Sequence, residues 1–207
     1  MNGLFQNARK FLLWFVVCAS FGALFFLKFD TTIARVVYPY TRNLGTVSSG
    51  LGGMVLVSAE AVVVMVLWCI YAIRGYLPLL GKAVALACIS SICAYTFNSL
   101  VLKIFFGVPT PAEVVGGVRH AFHFLQGTPK SSFPSGHMAL AGAFAGVLMQ
   151  VYGKSRGPLS ALLVIAAGLL VLGDWHFVSD VIGGTFVGIS TGVIAGKICL
   201  ARKRDIA

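Results

Sequence analysis

Two histidines in short polar segments are the residues best placed to do chemistry. His137 follows Pro134-Ser135-Gly136, and an apolar run begins at the next residue. This spacing puts His137 on the first turn of a membrane helix, where backbone N–H groups are unpaired and the helix dipole is positive, which suits phosphate. His176 precedes Asp180 by four residues, so on a helix the two side chains share a face. Two histidines, one of them backed by a carboxylate, are the beginnings of a nucleophile and a general acid.

The composition is that of a membrane protein. Of the 207 residues, 58% are hydrophobic and 11% are charged, whereas a soluble domain carries about 25% charged residues. The mean hydropathy is +0.91. A formal net charge of +10 is compatible with nucleic-acid binding, but the basic residues lie mostly in loops beside apolar segments, as membrane orientation requires. We therefore expect membrane lipids, and no nucleic acid, as partners.

Six apolar segments are candidates for membrane spans. Each is near the ~20 residues needed to cross a bilayer, and helices pair their backbone groups within the segment. The fifth is short unless residues 173–176 extend it. The sequence therefore predicts an all-α polytopic membrane protein, with one domain of six transmembrane helices over residues 1–207. The predicted spans are 11–29, 54–73, 83–106, 136–152, 159–172 and 181–200.

A stripe of glycines runs along the last span. Gly184, Gly188, Gly192 and Gly196 follow one another at intervals of four residues, so on a helix they share a face. Small residues in this pattern let two helices approach closely. We expect this face to pack tightly against a neighbouring helix.

The distribution of basic residues predicts the orientation. With six spans, the termini and the second and fourth loops share one side, which carries ten of the sixteen Lys and Arg residues. This excess places both termini in the cytoplasm. Lys103, Arg119 and Lys130 then lie on the outer side of the inner (plasma) membrane. Because ionisable groups at membrane depth are functional candidates, we expect the active site there, in segments 103–137 and 174–184.

The motifs resemble those of the type-2 phosphatidic acid phosphatase superfamily, whose membrane members have six helices. The second signature of that family, P-S-G-H, is present unchanged as Pro134-Ser135-Gly136-His137. The end of the third, S-R-x5-H-x3-D, is present at His176 and Asp180, and the first, K-x6-R-P, matches at Lys103. Four residues alone are a weak signal, but together with the other two motifs and the six spans they are strong.

The resemblance implies a membrane lipid phosphatase that needs neither a metal nor another cofactor and hydrolyses a lipid phosphate or pyrophosphate. It implies that His176 attacks phosphorus and forms a phosphohistidine, while Asp180 orients and stabilises its imidazole. His137 would protonate the leaving oxygen and then activate water. The groups that would hold the phosphate oxygens are the side chains of Lys103 and Ser135 and the N–H of Gly136.

Both arginines of the family signatures are absent from this chain. The first signature reads Thr110-Pro111 where the family has Arg-Pro, and the Ser-Arg pair of the third falls at Leu169 and Leu170. Arginine grips phosphate with two parallel hydrogen bonds, so its loss should weaken the hold on a dianionic phosphomonoester.

Three explanations for the missing arginines stay open. Arg119 and Lys130, in the outer loop, would bind phosphate in their place. Alternatively, the substrate carries less charge at phosphorus, as a phosphodiester does, and the protein is a lipid head-group transferase, similar to the sphingomyelin synthases. The third explanation is a catalytically degenerate, lipid-binding member. No carboxylate cluster that would predict a metal site is apparent in the sequence.

Overall fold

The computed structural model describes residues 2–41 and 49–204, with side chains at 8–41 and 52–198. Over these residues every regular element is helical, which confirms the predicted fold class. Arg42 and the side chains of Arg202, Lys203 and Arg204, which count among the basic residues of the orientation argument, lie outside the described part. The helices are α1 (Asn2–Lys28), α2 (Asp30–Thr41), α3 (Ser49–Arg74), α4 (Leu79–Phe97), α5 (Lys103–Phe106), α6 (Pro111–Val115), α7 (Gly136–Val151), α8 (Arg156–Leu172) and α9 (Val178–Arg204).

Five helical stretches within the described residues are long and apolar enough to cross a membrane. The fourth predicted span, 136–152, corresponds to the shorter apolar helix α7. Residues 173–176 do not extend the fifth span, which instead gains length at its start through a 3-10 turn at Gly153–Ser155. The protein is therefore a polytopic helical membrane protein. The five stretches are Ala8–Lys28, Gly52–Arg74, Leu79–Val115, Gly153–Leu172 and Val178–Ile198.

The helices fall into an inner and an outer group. The membrane stretches of α1, α3 and α8 bury almost none of their residues against the rest of the chain. Their apolar side chains must therefore be covered by lipid. In contrast, more than half of the residues of α7 are buried, and α7 packs against both α4 and α9. Lys103 just beyond α4, His137 on α7 and Asp180 on α9 therefore lie on or beside this inner group.

Helices α7 and α9 meet main chain to main chain along the glycine stripe. A β-carbon at Gly188 would overlap the carbonyl oxygen of Ala139, and one at Gly192 would overlap that of Ala143. From the other side, a β-carbon at Gly142 would lie 3.1 Å from the backbone nitrogen of Ile189. The expectation of tight packing is thus confirmed, and it holds for glycines on both helices.

A π-helical turn, Asn98–Leu102, joins α4 to the single turn of α5, so that Lys103 follows an irregular segment of helix. After α5 the chain turns at Gly107, whose φ of 58° is a left-handed conformation that glycine adopts without strain. The loop that follows α6 is tied back to this corner by main-chain hydrogen bonds. Ser132 N–H donates to the Val108 carbonyl at 2.7 Å, which fixes the approach to the second motif.

Two short helices, α2 and α6, were not predicted from the sequence. They pack together under the turn that precedes α9, where Ala34 of α2, Val114 of α6 and Phe177 form a buried apolar cluster. Both helices therefore lie against the segment that carries the second histidine.

Candidate active site

The Asp180 carboxylate lies on the first turn of α9, directly behind His176. Its Oδ2 is 3.4 Å from Nδ1 of His176, close but not aligned as a hydrogen bond. The same oxygen accepts a hydrogen bond from the Phe177 N–H at 2.8 Å and one from the Ser132 hydroxyl. Both side chains of the pair are buried, so the imidazole is held with Nδ1 toward the carboxylate and Nε2 away from it.

The two histidines face each other across the inner helices. The ring centroids of His137 and His176 are 5.9 Å apart, and the rings are nearly perpendicular. The indole of Trp175 lies 5.8 Å from the His137 ring. A β-carbon at Gly52, near the start of α3, would come within 3.3 Å of His137 Nε2, so the glycine there leaves room for the imidazole.

Hydrogen bonds fix the loop of the second motif between α4 and α9. The Ser135 N–H donates to the Asp180 carbonyl at 2.9 Å, and the Asn98 side-chain amide donates to the Pro134 carbonyl at 2.9 Å. The Ser135 hydroxyl caps α7 by accepting from the Met138 N–H at 3.4 Å. One buried loop is therefore tied to the helices that carry Lys103 and the second histidine.

A polar cavity of about 640 Å³ lies where these segments meet. Lys103, Lys130, Gly136 and both histidines line it. The Lys103 side chain is buried, with 9% of its surface exposed. Its ammonium group therefore acts within the cavity and is not solvated by bulk water or lipid headgroups. Because Gly136 is the first residue of α7, its N–H precedes the helical hydrogen-bond ladder and is free for an anion.

Two of the predicted phosphate ligands lie elsewhere. Ser135 is fully buried and its hydroxyl is used as the α7 cap, so it is not among the residues that line the cavity. Arg119 is exposed and also lies outside that lining, whereas Lys130 is part of it. Of the two candidates for replacing the family arginines, the described structure brings only Lys130 to the histidines. Phosphate binding by Ser135 and Arg119 stays a prediction that no contact supports.

The positions of the missing arginines have acquired structural roles. Thr110 forms a capping box at the start of α6: its N–H and its hydroxyl donate to the Glu113 carboxylate at 2.7 and 2.9 Å. Leu170 is buried against Met138 and Val181, and its carbonyl accepts from the N–H of Trp175 at 3.1 Å. Thr110 therefore holds the carboxylate of Glu113 at the cavity, and Leu170 places an apolar side chain in the core.

Burial sets the protonation of the groups in the turn before α9. Desolvation lowers the pKa of the His176 imidazole, and the Asp180 carboxylate offsets only part of this effect, so the imidazole is neutral at pH 7. Burial raises the pKa of the Asp174 carboxyl to about 6. A neutral imidazole with one nitrogen turned to a carboxylate is the form that acts as a nucleophile.

Sequence reasoning missed several polar residues around the site. Ser132, Asn98 and Asp30 are all at most 1% exposed, and each is hydrogen-bonded to a motif segment. Asp30 is 149 positions from its partner Ser179, so no local pattern links them. The one signal in the sequence for any of them was Asn98, an amide side chain within the third predicted span.

No group of three or more His, Cys, Asp or Glu residues suited to a metal occurs among the described side chains. The charged groups and imidazoles that line the cavity are Lys103, Lys130, His123, His137, His176, Glu113 and Asp174, and backbone N–H groups lie beside them. The lysines, the imidazoles and the backbone N–H groups can donate to phosphate oxygens directly, whereas the two carboxylates oppose an anion.

Comparison with known proteins gives one result. Neither the curated proteins nor the solved structures include a significant match to this chain. The family model of the PAP2 superfamily matches residues 79–204, which is more than half of the chain and includes all three motif segments. The protein therefore belongs to the PAP2 superfamily of type-2 phosphatidic acid phosphatases, a family of phosphatase-type phosphoryl hydrolases.

Proposed function

We propose that the protein hydrolyses a lipid phosphomonoester or pyrophosphate through a phosphohistidine at His176. The observation that carries this proposal is the pair of imidazoles, 5.9 Å apart, on the wall of a cavity that also contains Lys103 and the first N–H of α7. A phosphoryl group needs an in-line nucleophile, a proton donor for the leaving oxygen and neutralised equatorial oxygens. Each of these has a candidate at this site.

The reaction would run in two steps. Nε2 of His176 attacks phosphorus as the bond to the leaving oxygen breaks, and His137 gives that oxygen a proton. Asp180 accepts from Nδ1–H and stabilises the positive charge that develops on the ring. His137, now neutral, takes a proton from water, which attacks phosphorus. The N–P bond then breaks and inorganic phosphate leaves.

The lipid substrate and the side of the membrane are part of the proposal. The cavity lies between apolar membrane helices, so a lipid can enter sideways while its phosphate reaches the polar loop. Phosphatidic acid, phosphatidylglycerol phosphate, polyprenyl pyrophosphate and lipid A all carry suitable groups. The excess of basic residues on the opposite side favours a site on the outer face of the inner membrane, with both termini in the cytoplasm.

The experiment is phosphate release by the full-length protein in detergent from a panel of these lipids, with a chelator present. We expect release to persist with the chelator. His176→Ala and His137→Ala should each lower kcat by at least a thousandfold, because both act on the reacting atoms. Lys154→Ala, at an exposed position outside the cavity lining, is the control and should retain activity within a few-fold. Full turnover by either of the first two variants would refute the site assignment, and loss of activity with the chelator would refute metal independence.

A second function, lipid phosphodiester head-group transfer, is favoured by the charges of the cavity. Thr110 and Leu170 stand at the positions of the family arginines. The cavity lining contains two lysines and two carboxyl groups, those of Lys103, Lys130, Glu113 and Asp174. This balance suits a phosphorus with one negative charge better than a dianion. The same lipid panel, extended to head-grouped lipids with a lipid alcohol as acceptor, separates the two: head-group exchange without phosphate release supports the transferase. Binding without turnover of any lipid would identify a degenerate member.

A further inference from the structure

We propose that Asp30 is a positioning residue for the reaction: its carboxylate holds the first turn of α9 so that Asp180 stays aligned behind His176. The inference rests on the proposed phosphohistidine mechanism and assigns a role to a residue outside all three family motifs. Asp30 is the first residue of α2 and is not among the residues that line the cavity. It therefore does not contact the substrate, and it acts through the α9 turn.

The contact that carries the proposal is a hydrogen bond between distant segments. The Ser179 N–H, one of the first free donors of α9, donates to Oδ1 of Asp30 at 3.3 Å. Two positions earlier, the Phe177 N–H donates to Asp180 at 2.8 Å. The start of α9 is thus held by two carboxylates, and carboxylates at a helix N-terminus stabilise it. With Ser179 served by Asp30, the Asp180 side chain remains free to face His176.

An aspartate at this position destabilises the fold, which a purely structural role would not explain. It is 1% exposed, its Oδ2 has no hydrogen-bond partner among the described residues, and the nearby Ser179 hydroxyl does not meet hydrogen-bond geometry. Burial, with a further contribution from the charge of Asp180, raises the pKa of Asp30 to about 6, and hydrogen bonding by Ser179 offsets only part of this rise. An ionised carboxylate under these conditions is destabilising unless it is well paired. An asparagine would retain an acceptor for Ser179 without this penalty.

Other charged groups do not offer Asp30 a compensating partner. The titratable residue whose charge acts on it is Asp180, which has the same sign. His120 is packed between the rings of Phe26 and Phe177, with centroid distances of 4.2 and 4.3 Å, and its Nε2 is unpaired among the described residues. None of the other titratable groups on α2 or on the helices packed against it forms a salt bridge with Asp30 among the described residues; these groups are Arg9, Lys10, Cys18, Lys28, Arg35, Tyr38, Tyr40, Glu113 and Arg156. The carboxylate is therefore retained for its bond to α9 and not for a salt bridge.

The test compares Asp30→Ala and Asp30→Asn with the wild-type protein. The measured quantities are KM, the thermal midpoint of unfolding, and kcat divided by the concentration of sites that form a phosphoenzyme. We expect Asp30→Ala to lower kcat by roughly ten- to a hundredfold, the effect of losing one hydrogen bond to a charged group, with KM within about twofold. Asp30→Asn should recover several-fold over alanine but stay at least about threefold below wild type, since a neutral acceptor binds Ser179 less strongly. Its thermal midpoint at pH 7.5 should not fall, because the amide removes a buried charge.

Glu60→Gln is the matched control, since Glu60 is another carboxyl with an unpaired buried oxygen, lies on α3 and is not among the residues that line the cavity. It should leave kcat unchanged within twofold. A wild-type kcat for Asp30→Asn, or an asparagine variant no better than alanine, would overturn the inference, even if alanine fails to fold. His176→Ala is measured in parallel. Turnover by that variant would refute the proposed function itself. If His176→Ala is inactive but the Asp30 variants have wild-type kcat, only the positioning role is refuted.

Discussion

At the scale of single residues, the Asp180 carboxylate is the point at which separate segments meet. One of its oxygens receives the Ser132 hydroxyl from the loop and the Phe177 N–H from the α9 turn, and it faces the His176 ring. The carboxylate therefore sets the position of the imidazole relative to the loop of the second motif. Small changes in any of these partners should appear in kcat more than in substrate binding.

Lys130 and Arg119 are distinguished by their positions relative to the cavity. Lys130→Ala should raise KM about threefold to tenfold because the side chain lines the cavity and can pair with a phosphate oxygen. Arg119→Ala should change KM by less than about twofold. Steady-state kinetics with one lipid phosphate measures both, and Lys154→Ala, in the loop before α8, controls for loss of a surface cation. Equal effects of the Lys130 and Arg119 changes would contradict this assignment.

The pH profile should report the neutral state of His176. Burial lowers the pKa of His176 below its ordinary value of 6.5. The imidazole must be unprotonated to attack, so protonation at lower pH removes activity, while raising the pH through neutrality adds no further nucleophile. For a substrate whose leaving oxygen needs no proton from His137, we expect kcat/KM to be constant from pH 7.5 down to about 6.5 and to fall only below that pH. An acidic limb centred above 6.5 would mean that His176 is not the group that titrates.

At the scale of elements, the pair α7 and α9 brings the two histidines together, and glycines determine how closely the two helices approach. Gly188→Ala should destabilise the protein by about 2 kcal/mol, because the methyl group would overlap the Ala139 carbonyl and force the helices apart. This corresponds to a fall of roughly 4–8 °C in the thermal midpoint, followed in detergent. Gly168→Ala on α8 adds the same group where no atom lies within 4 Å. It should change the midpoint little, and a comparable fall there would show that the packing argument is wrong.

The sequence predicted those elements whose signals are local. Apolar length identified the membrane helices, and the motifs identified Lys103, His137 and His176 within segments that the structure brings to one cavity. Helix α2 was missed because it is short and is stabilised by packing around Phe177. Helix α6 is shorter still, but its Thr110–Glu113 capping box is a local signal from which its start could have been predicted. Asp30 and Asn98 were missed for a related reason, since their partners are distant in sequence. Ser135 was expected to bind phosphate, and its use as a helix cap follows from the same position at the start of α7.

At the scale of the whole molecule, the site is near one end of the inner helices. Lys103, Lys130 and both histidines gather at the ends of α5, α7 and α9 and in the loops between them. The opposite end of the same helices carries Lys82 and Lys154, consistent with the excess of positive charge that predicts a cytoplasmic side. The proposed site therefore faces outward only if this orientation is correct.

Reporter fusions test the orientation directly. A reporter that is active only in the cytoplasm, fused after Ala207, should be active. The same reporter inserted in the third loop after Gly117, which has open space around its α-carbon, should be inactive. A membrane-impermeant thiol reagent should label a cysteine introduced at Lys130 from outside the cell but not one introduced at Lys154. The reverse labelling pattern would place the cavity on the cytoplasmic face.

The backbone contact between α7 and α9 has a consequence for how such proteins diverge. Because the distance between the two imidazoles is determined by main-chain atoms, replacement of side chains elsewhere leaves it nearly unchanged. A lineage can thus change the residues around the phosphorus, such as those at the positions of Thr110 and Leu170, while the two imidazoles keep their geometry. Selectivity for one ester over another would then evolve separately from the capacity to break it.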